Sequence, residues 1–76
     1  MKDLLLYIAQ NLVDKPEEVS VTETETEGEI KLELRVAEGD MGKVIGRGGR
    51  IAKEIRSLMR AVASRKGVRI SVDIVD

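Results

Sequence analysis

The sequence predicts an α+β domain of two layers, with helices packed on one face of a three-stranded sheet. Two segments carry apolar residues at helical spacing, and three others alternate between apolar and polar residues. A glycine-rich segment separates the second strand from the longer helical segment, and it leaves room for one short helix. The predicted order over residues 1–76 is therefore α-β-β-α-α-β, in a single domain.

The first predicted helix spans residues 3–13. Asp3 is a candidate cap for its start, and Leu5, Ile8 and Leu12 recur on one face. We expect the helix to stop before Pro16, because proline lacks the backbone N–H that continuation requires.

Three segments have the two-residue period of strands. Residues 19–25 are rich in β-branched side chains, and residues 30–36 alternate cleanly between apolar and charged ones. Gly28 lies between them and predicts a hairpin turn. Residues 68–74 alternate in the same way and predict the third strand.

A long helix is predicted between Gly49 and Gly67, where glycine and the preceding basic residues are typical of a helix end. One side of this helix is predicted to be core: Ile51, Ile55, Leu58, Met59 and Val62. The opposite side is polar and mostly basic: Arg50, Lys53, Ser57, Arg60 and Ser64.

Charge is segregated along the chain. Residues 1–38 hold four basic and ten acidic residues, a net charge of −6, whereas residues 39–76 hold nine basic and four acidic, a net charge of +5. A basic segment of this kind favours a polyanionic partner such as nucleic acid, although a solvated helix face also explains a run of charge. The acidic run from Glu23 to Glu29 is expected to be a solvated hairpin tip, or to repel nucleic acid from that side.

Several classes of protein are disfavoured by composition. The longest apolar run, residues 4–9, is far shorter than the ~20 residues that cross a bilayer, and no signal-peptide pattern follows it. We therefore expect a cytoplasmic protein. With no Cys, no His and no paired carboxylates in a plausible pocket, we predict no enzyme, no catalytic residue, no metal and no cofactor. Tyr7 is the one aromatic residue and is expected to be a partly buried surface residue.

One motif, within residues 42–55, carries a specific chemical meaning. It is not a Walker loop, since Val44 stands where Ser or Thr must follow the Gly-Lys pair. It is not a dinucleotide fingerprint, since Ile51 stands at the third glycine position. A Gly-x-x-Gly loop fits instead, at residues 46–49, between the short helix and the long one.

This loop is predicted to clamp the backbone of a polyanion. Glycine leaves no side chain to hold a phosphate away, and the start of the next helix offers unpaired N–H groups and the positive end of its dipole. Arg56, Arg65 and Lys66 are expected to be solvated or capping. The residues predicted to bind the polyanion, for which the family resemblance given next implies RNA, are Lys43, Gly46, Arg47, Gly48, Gly49, Arg50 and Lys53.

The octet Val44–Ile51 resembles the Val-Ile-Gly-x-x-Gly core of the K homology (KH) family, and the element order resembles its type II arrangement over the whole chain. The length and the charge pattern resemble the small stand-alone bacterial KH proteins of the KhpA type. This resemblance implies that the GXXG loop holds about four nucleotides of single-stranded RNA against a strand edge. It further implies a homodimer and a heterodimer with a second KH-containing protein.

A function follows from these expectations, with alternatives. We expect an RNA chaperone or post-transcriptional regulator of low sequence specificity. The first alternative is a protein–protein interaction module of KH shape that acts mainly through homo- or heterodimerisation. A helix-turn-helix DNA binder would explain the basic helix, but it leaves the three predicted strands unexplained.

Overall fold

The computed structural model describes residues 1–75. Over these residues the helices are α1 (Lys2–Gln10), α2 (Met41–Ile45) and α3 (Arg50–Arg65), and the strands are β1 (Ser20–Thr26), β2 (Glu29–Arg35) and β3 (Arg69–Val75). Short 3₁₀ turns precede β1, α2 and α3. The predicted α+β fold and its order α-β-β-α-α-β are confirmed, and they agree with a type II KH domain.

The sheet is mixed, with strand order β1-β2-β3. β1 and β2 are antiparallel, with Ser20 opposite Arg35, and residues 27 and 28 join them with φ values of 44° and 80°. Two positive φ values in a two-residue turn match the right-handed twist of the flanking strands. β3 is parallel to β2, with Glu29 opposite Arg69, because α2 and α3 return the chain to the starting end of the sheet.

The hydrophobic core lies between the helices and one face of the sheet. Ile30, Leu32 and Leu34 are all buried, whereas Lys31 and Arg35 on the opposite face of β2 are exposed, which is the alternation that the sequence predicts. The buried residues that form the core cluster are Leu5, Ala9, Val19, Ile30, Leu32, Leu34, Val36, Val44, Ile55, Met59 and Val72.

Helix α1 ends at Gln10, three residues before the predicted end. The cause is Asn11, whose side-chain amide donates to the carbonyl of Tyr7 at 2.8 Å. Such a bond satisfies a helix carbonyl with a side chain and competes with further helical turns. Tyr7 is 66% exposed, so it lies at the surface as expected but is mostly uncovered.

The start of α1 also differs from the prediction. Asp3 lies inside the first turn, and Met1 occupies the cap position without a side-chain hydrogen bond. The carboxylate of Glu23 on β1 accepts the N–H of Lys2 at 3.2 Å. A residue remote in sequence therefore supplies the negative charge that the helix start favours.

The face of α3 that packs against the sheet differs somewhat from the face that the apolar pattern predicts. Ile55 and Met59 are buried as expected, but Leu58 is 47% exposed, so its prediction as core is wrong. Ala52 and Ala63 are buried in its place. Small side chains on that face leave room for the helix to approach the sheet closely, which moves Leu58 to the flank.

Two further properties of residues 1–75 bear on function. No helix there has the length and apolarity needed to cross a membrane. The same residues bring together no group of three or more His, Cys, Asp or Glu side chains in a position to hold a metal ion.

Candidate nucleic-acid interface

Residues 46–49, hereafter the GXXG loop, connect α2 to α3 through a single tight turn. The N–H of Gly46 donates to the carbonyl of Gly42 at 2.9 Å and ends α2. The N–H of Gly49 then donates to the carbonyl of Gly46 at 3.1 Å. Gly46, Gly48 and Gly49 have φ values of 76°, 64° and 78°, a conformation that favours glycine over other residues.

The side chain of Ile51 packs against the inner side of the loop. A Cβ atom at position 46 would lie 2.7 Å from Cγ1 of Ile51, which is too close for any side chain. A Cβ atom at position 48 or 49 would meet nothing within 4 Å. The loop is therefore packed on its inner side and open on its outer side, where a phosphate can approach the backbone.

The loop also lies directly before a helix start that no side chain caps. Gly49 is the cap residue of α3, and no side chain forms a capping hydrogen bond there. The N–H of Arg50, the first residue of α3, donates to the carbonyl of Arg47 in the preceding turn. The helix dipole is positive at this end, which favours an anion. Arg47 and Gly48 are exposed, so an anion can reach this position from solvent.

Three cations flank the loop. Arg47, Arg50 and Lys53 are all exposed, and together with Gly48 and Glu54 they line an open cavity of about 450 Å³. Guanidinium groups match phosphate oxygens with paired donors, so the arrangement suits a polyanion. The fold thus brings Arg47, Gly48, Arg50 and Lys53, four of the predicted binding residues, to one surface, with Gly46 and Gly49 as the backbone of the turn.

Lys43 is the predicted residue that lies apart. Its Nζ atom is 3.3 Å from Oδ2 of Asp14, and it does not line the cavity beside the loop. Both side chains are substantially exposed, so this ion pair contributes only about 0–1 kcal/mol. Lys43 can therefore exchange Asp14 for a phosphate at small cost.

Arg56 has a structural contact that the sequence did not indicate. Its Nε donates to the carbonyl of Val72 at 3.0 Å, and the side chain is partly buried rather than solvated. This bond joins α3 to β3, which is an edge strand of the sheet. No local pattern predicts it, since the alignment of α3 with β3 arises from core packing.

A second open cavity, hereafter the α1–α3 groove, is mostly apolar and measures about 260 Å³. Leu12 and Leu58 lie on its rim, 36% and 47% exposed. The groove adjoins the GXXG loop, since Ile51 contributes to both. The residues that line it are Ile8, Leu12, Ile51, Glu54, Ile55 and Leu58.

Comparison with known proteins places this geometry in a family. The chain matches the family described as KhpA/KhpB, KH domain, over residues 2–74. It is 51% identical to the RNA-binding protein KhpA of Chlamydia trachomatis, over all of this chain and 97% of that protein. It is 53% identical to the RNA-binding protein KhpA of Clostridium acetobutylicum, over 99% of this chain and 100% of that protein.

A third relative shows a similar level of identity. The RNA-binding protein KhpA of Listeria monocytogenes is 45% identical over the full length of both chains. The family expected from the octet and the element order is thus confirmed, and the chain belongs to the KhpA/KhpB family of KH domain proteins.

Proposed function

We propose that residues 1–76 act as one type II KH domain that binds single-stranded RNA without catalysis, by clamping the RNA backbone at the GXXG loop. The observation that carries this proposal is the open, glycine-lined turn at the uncapped start of α3, surrounded by Arg47, Arg50 and Lys53. The names of the relatives support RNA as the ligand, since each is called an RNA-binding protein.

In the proposed complex, an RNA phosphate lies against the backbone of Gly48 and Gly49. The positive end of the α3 dipole faces it, and Arg47 and Arg50 approach it from the sides. The bases then extend toward the edge of β3, where Arg56 already marks the boundary between α3 and the sheet. RNA bases often stack on aromatic rings, but Tyr7 lies on α1 and does not line this cavity. Apolar contacts and hydrogen bonds therefore hold the bases.

Low sequence specificity follows from the same contacts. Backbone N–H groups and arginines that bind phosphate position the strand but carry no sequence information. Gly48 has no side chain with which to read a base. We therefore propose a chaperone-like or post-transcriptional role in the bacterial cytoplasm, in which the protein binds many RNAs weakly.

The test replaces Arg47 and Gly48 with aspartate together. Two carboxylates at the clamp should abolish binding of a short single-stranded RNA of about four nucleotides. The melting temperature should change little, since both positions are exposed and Asp tolerates a positive φ better than most residues. Fluorescence anisotropy and circular dichroism measure the two quantities.

A matched control lies at the other end of the same helix. Lys66→Asp with Gly67→Asp makes the same change of charge at a glycine with φ of 72° that also has nothing within 4 Å of its Cβ position. This control should keep most of the RNA affinity. If the variant at Arg47 and Gly48 binds as well as the parent, or no worse than the control, the loop is not the clamp.

The α1–α3 groove favours a second function, association with another protein chain. Two leucines, Leu12 and Leu58, are exposed around an apolar depression, and such a surface gains free energy when a partner covers it. We propose that it pairs with a second copy of the chain, or with a second KH-containing protein.

Light scattering tests this pairing. Leu58→Asp should convert a dimer of the parent protein to a monomer, while Ser64→Asp, which adds the same charge to the same helix outside the groove, should leave the dimer intact. A parent that is monomeric at high concentration, or a dimer that Leu58→Asp does not affect, would contradict self-association through this surface.

A further inference from the structure

Lys43, the one cation of α2, forms an ion pair close to the GXXG loop. Its Nζ atom lies 3.3 Å from Oδ2 of Asp14, which belongs to the segment after α1. Lys43 precedes Gly46 by three residues, or about 4.5 Å along the helix, which is less than one turn. The lysine therefore lies beside the loop, but a carboxylate of the same chain already occupies its charge.

The other predicted binding cations differ from Lys43 in this respect. Within residues 1–75, the ion pairs involve Lys15, Lys31 and Lys43, and none involves a residue of the basic cavity beside the loop. On the α3 side of the loop a phosphate thus meets cations that have no acidic partner. On the α2 side it meets a lysine that is paired with Asp14.

Asp14 also lines a cavity of negative charge near the start of α2, hereafter the acidic cavity. Its volume is about 440 Å³, and it lies between the segment after α1 and the 3₁₀ turn that precedes α2. Four carboxylates and one ammonium group line it, a formal net charge of −3. These charged residues are Asp14, Lys15, Glu18, Glu38 and Asp40.

The acidic cavity lies near enough for its charge to act at the loop. Helix α2 is five residues long, or about 7.5 Å. The Debye length at physiological ionic strength is about 8 Å, so charges at one end of α2 are only partly screened at the other. A polyanionic strand that leaves the loop along α2 therefore enters negative potential, and Lys43 lies at the boundary.

We propose that Asp14 competes with an RNA phosphate for Lys43 and thereby weakens RNA binding on the α2 side of the GXXG loop. The proposal rests on the loop clamp proposed above and adds a residue that sets its affinity. A phosphate reaches Lys43 only by displacing the Asp14 carboxylate, and the displaced carboxylate then adds to the negative charge of the acidic cavity. The strand consequently gains more free energy by leaving the loop toward β3 than by following α2.

The exposure of the two partners sets the size of the effect. The side chains of Lys43 and Asp14 are 43% and 75% exposed, so water screens the pair. An ion pair of this kind changes an equilibrium by no more than about fivefold. The competition therefore adjusts the affinity within this range and does not switch RNA binding on or off.

The experiment removes the competing charge and keeps the shape of the side chain. The test variant is Asp14→Asn, and the control is Asp73→Asn, which also breaks an exposed ion pair, 3.8 Å from Lys31. Asp73 alternates with buried Val72 and so lies on the outer face of the sheet. Both variants are made with Lys43 in place and again with Lys43→Gln. Fluorescence anisotropy with an oligouridylate of about four nucleotides gives the dissociation constants, and thermal melting confirms that each variant is folded.

With Lys43 in place, Asp14→Asn should bind the RNA about two- to fivefold more tightly than Asp73→Asn, because the lysine is then free to bind a phosphate. The slope of its salt dependence should become steeper by about 0.7, the value for one further phosphate of a single strand. With Lys43→Gln, the two aspartate variants should bind equally.

Three results would overturn the proposal. The first is equal affinity of Asp14→Asn and Asp73→Asn with Lys43 in place. The second is a gain for Asp14→Asn that persists in full with Lys43→Gln, because it would indicate a general effect of charge that does not act through the lysine. The third is an unchanged salt slope, because no phosphate contact would then have been added.

The failure of this proposal and that of the loop clamp are separable. If Arg47→Asp with Gly48→Asp still binds the RNA, the clamp is wrong whatever Asp14 does. If that variant loses the RNA while Asp14→Asn binds like Asp73→Asn, the clamp stands and the role of Asp14 is wrong.

Discussion

Gly46 carries the strictest requirement for glycine in the GXXG loop. Its φ is 76°, and its Cβ position lies 2.7 Å from Cγ1 of Ile51. The motif in the sequence indicates that glycine is needed there, but it does not reveal that Ile51 is the neighbour that enforces it. The positive φ of Gly46 and its close contact with Ile51 thus both require glycine at this position.

Gly46→Ala should lower the free energy of unfolding by about 1–3 kcal/mol, the cost of a strained backbone position. Gly42→Ala is the control, since Gly42 lies inside α2 with nothing within 4 Å of its Cβ position. The control should raise the stability by about 0.4–1 kcal/mol, because alanine restricts the unfolded chain. Urea unfolding measures both, and equal effects of the two substitutions would contradict this account.

Asp40 is the one buried charged residue of the described chain. Its Oδ2 accepts the N–H of Lys15 at 3.0 Å and so fixes the segment after α1 beside the start of α2. The sequence gives no signal for this contact, because the partners are 25 residues apart and neither belongs to a motif.

Asp40→Ala should destabilise the protein by about 1–3 kcal/mol, because it leaves the Lys15 N–H without its acceptor in a partly buried position. Asp40→Asn keeps an acceptor oxygen and should cost less. Asp73→Ala removes an exposed carboxylate paired with Lys31 and should change the stability by no more than about 1 kcal/mol. Chemical denaturation orders the three variants, and a different order would argue against the structural role of Asp40.

Among the individual elements, the hydrophobic period located the two longer helices and the three strands but not their orientations, whereas α2 was expected only from the room left in the glycine-rich segment. The alternation in β2 determines which face of the strand is buried, because a strand has only two faces and one of them is apolar. In α3 the apolar side is wide, so the pattern alone does not say whether Leu58 or Ala52 faces the sheet. In the structure Ala52 is buried, whereas Leu58 is exposed at the α1–α3 groove.

The contact between α3 and β3 depends partly on Arg56. Arg56→Met keeps most of the side-chain stem and removes the donor to the Val72 carbonyl, so it should lower the free energy of unfolding by about 1 kcal/mol. Arg60→Met, one turn further along the same helix at an exposed position, should have a smaller effect. Equal effects in urea unfolding would show that the Arg56 bond adds nothing to stability.

Over the whole molecule, the acidic first half and the basic second half of the sequence have different roles. The acidic first half supplies partners within the fold, since Glu23 binds the start of α1 and Asp14 pairs with Lys43. Within residues 1–75, Arg47 and Arg50 enter no ion pair and stay exposed. The sequence predicted most of the candidate site because its residues are nearly contiguous, and it missed Arg56 because that contact joins two distant elements.

RNA affinity should therefore depend on salt. Roughly three to four phosphate contacts at the loop predict a slope of about −2 to −3 when the logarithm of the binding constant is plotted against that of the salt concentration. Titrations of a short single-stranded RNA at several sodium chloride concentrations give this slope. A slope near zero would exclude phosphate contacts as the main source of affinity.

In the proposed complex, the GXXG loop and the first turn of α3 are the surface that RNA contacts. Backbone amide shifts recorded by NMR during titration with a short single-stranded RNA test it residue by residue. We expect the largest changes at Arg47, Gly48, Gly49 and Arg50, with little change on the exposed face of β2. Shifts confined to the α1–α3 groove or to the outer face of the sheet, with the loop amides unmoved, would contradict it.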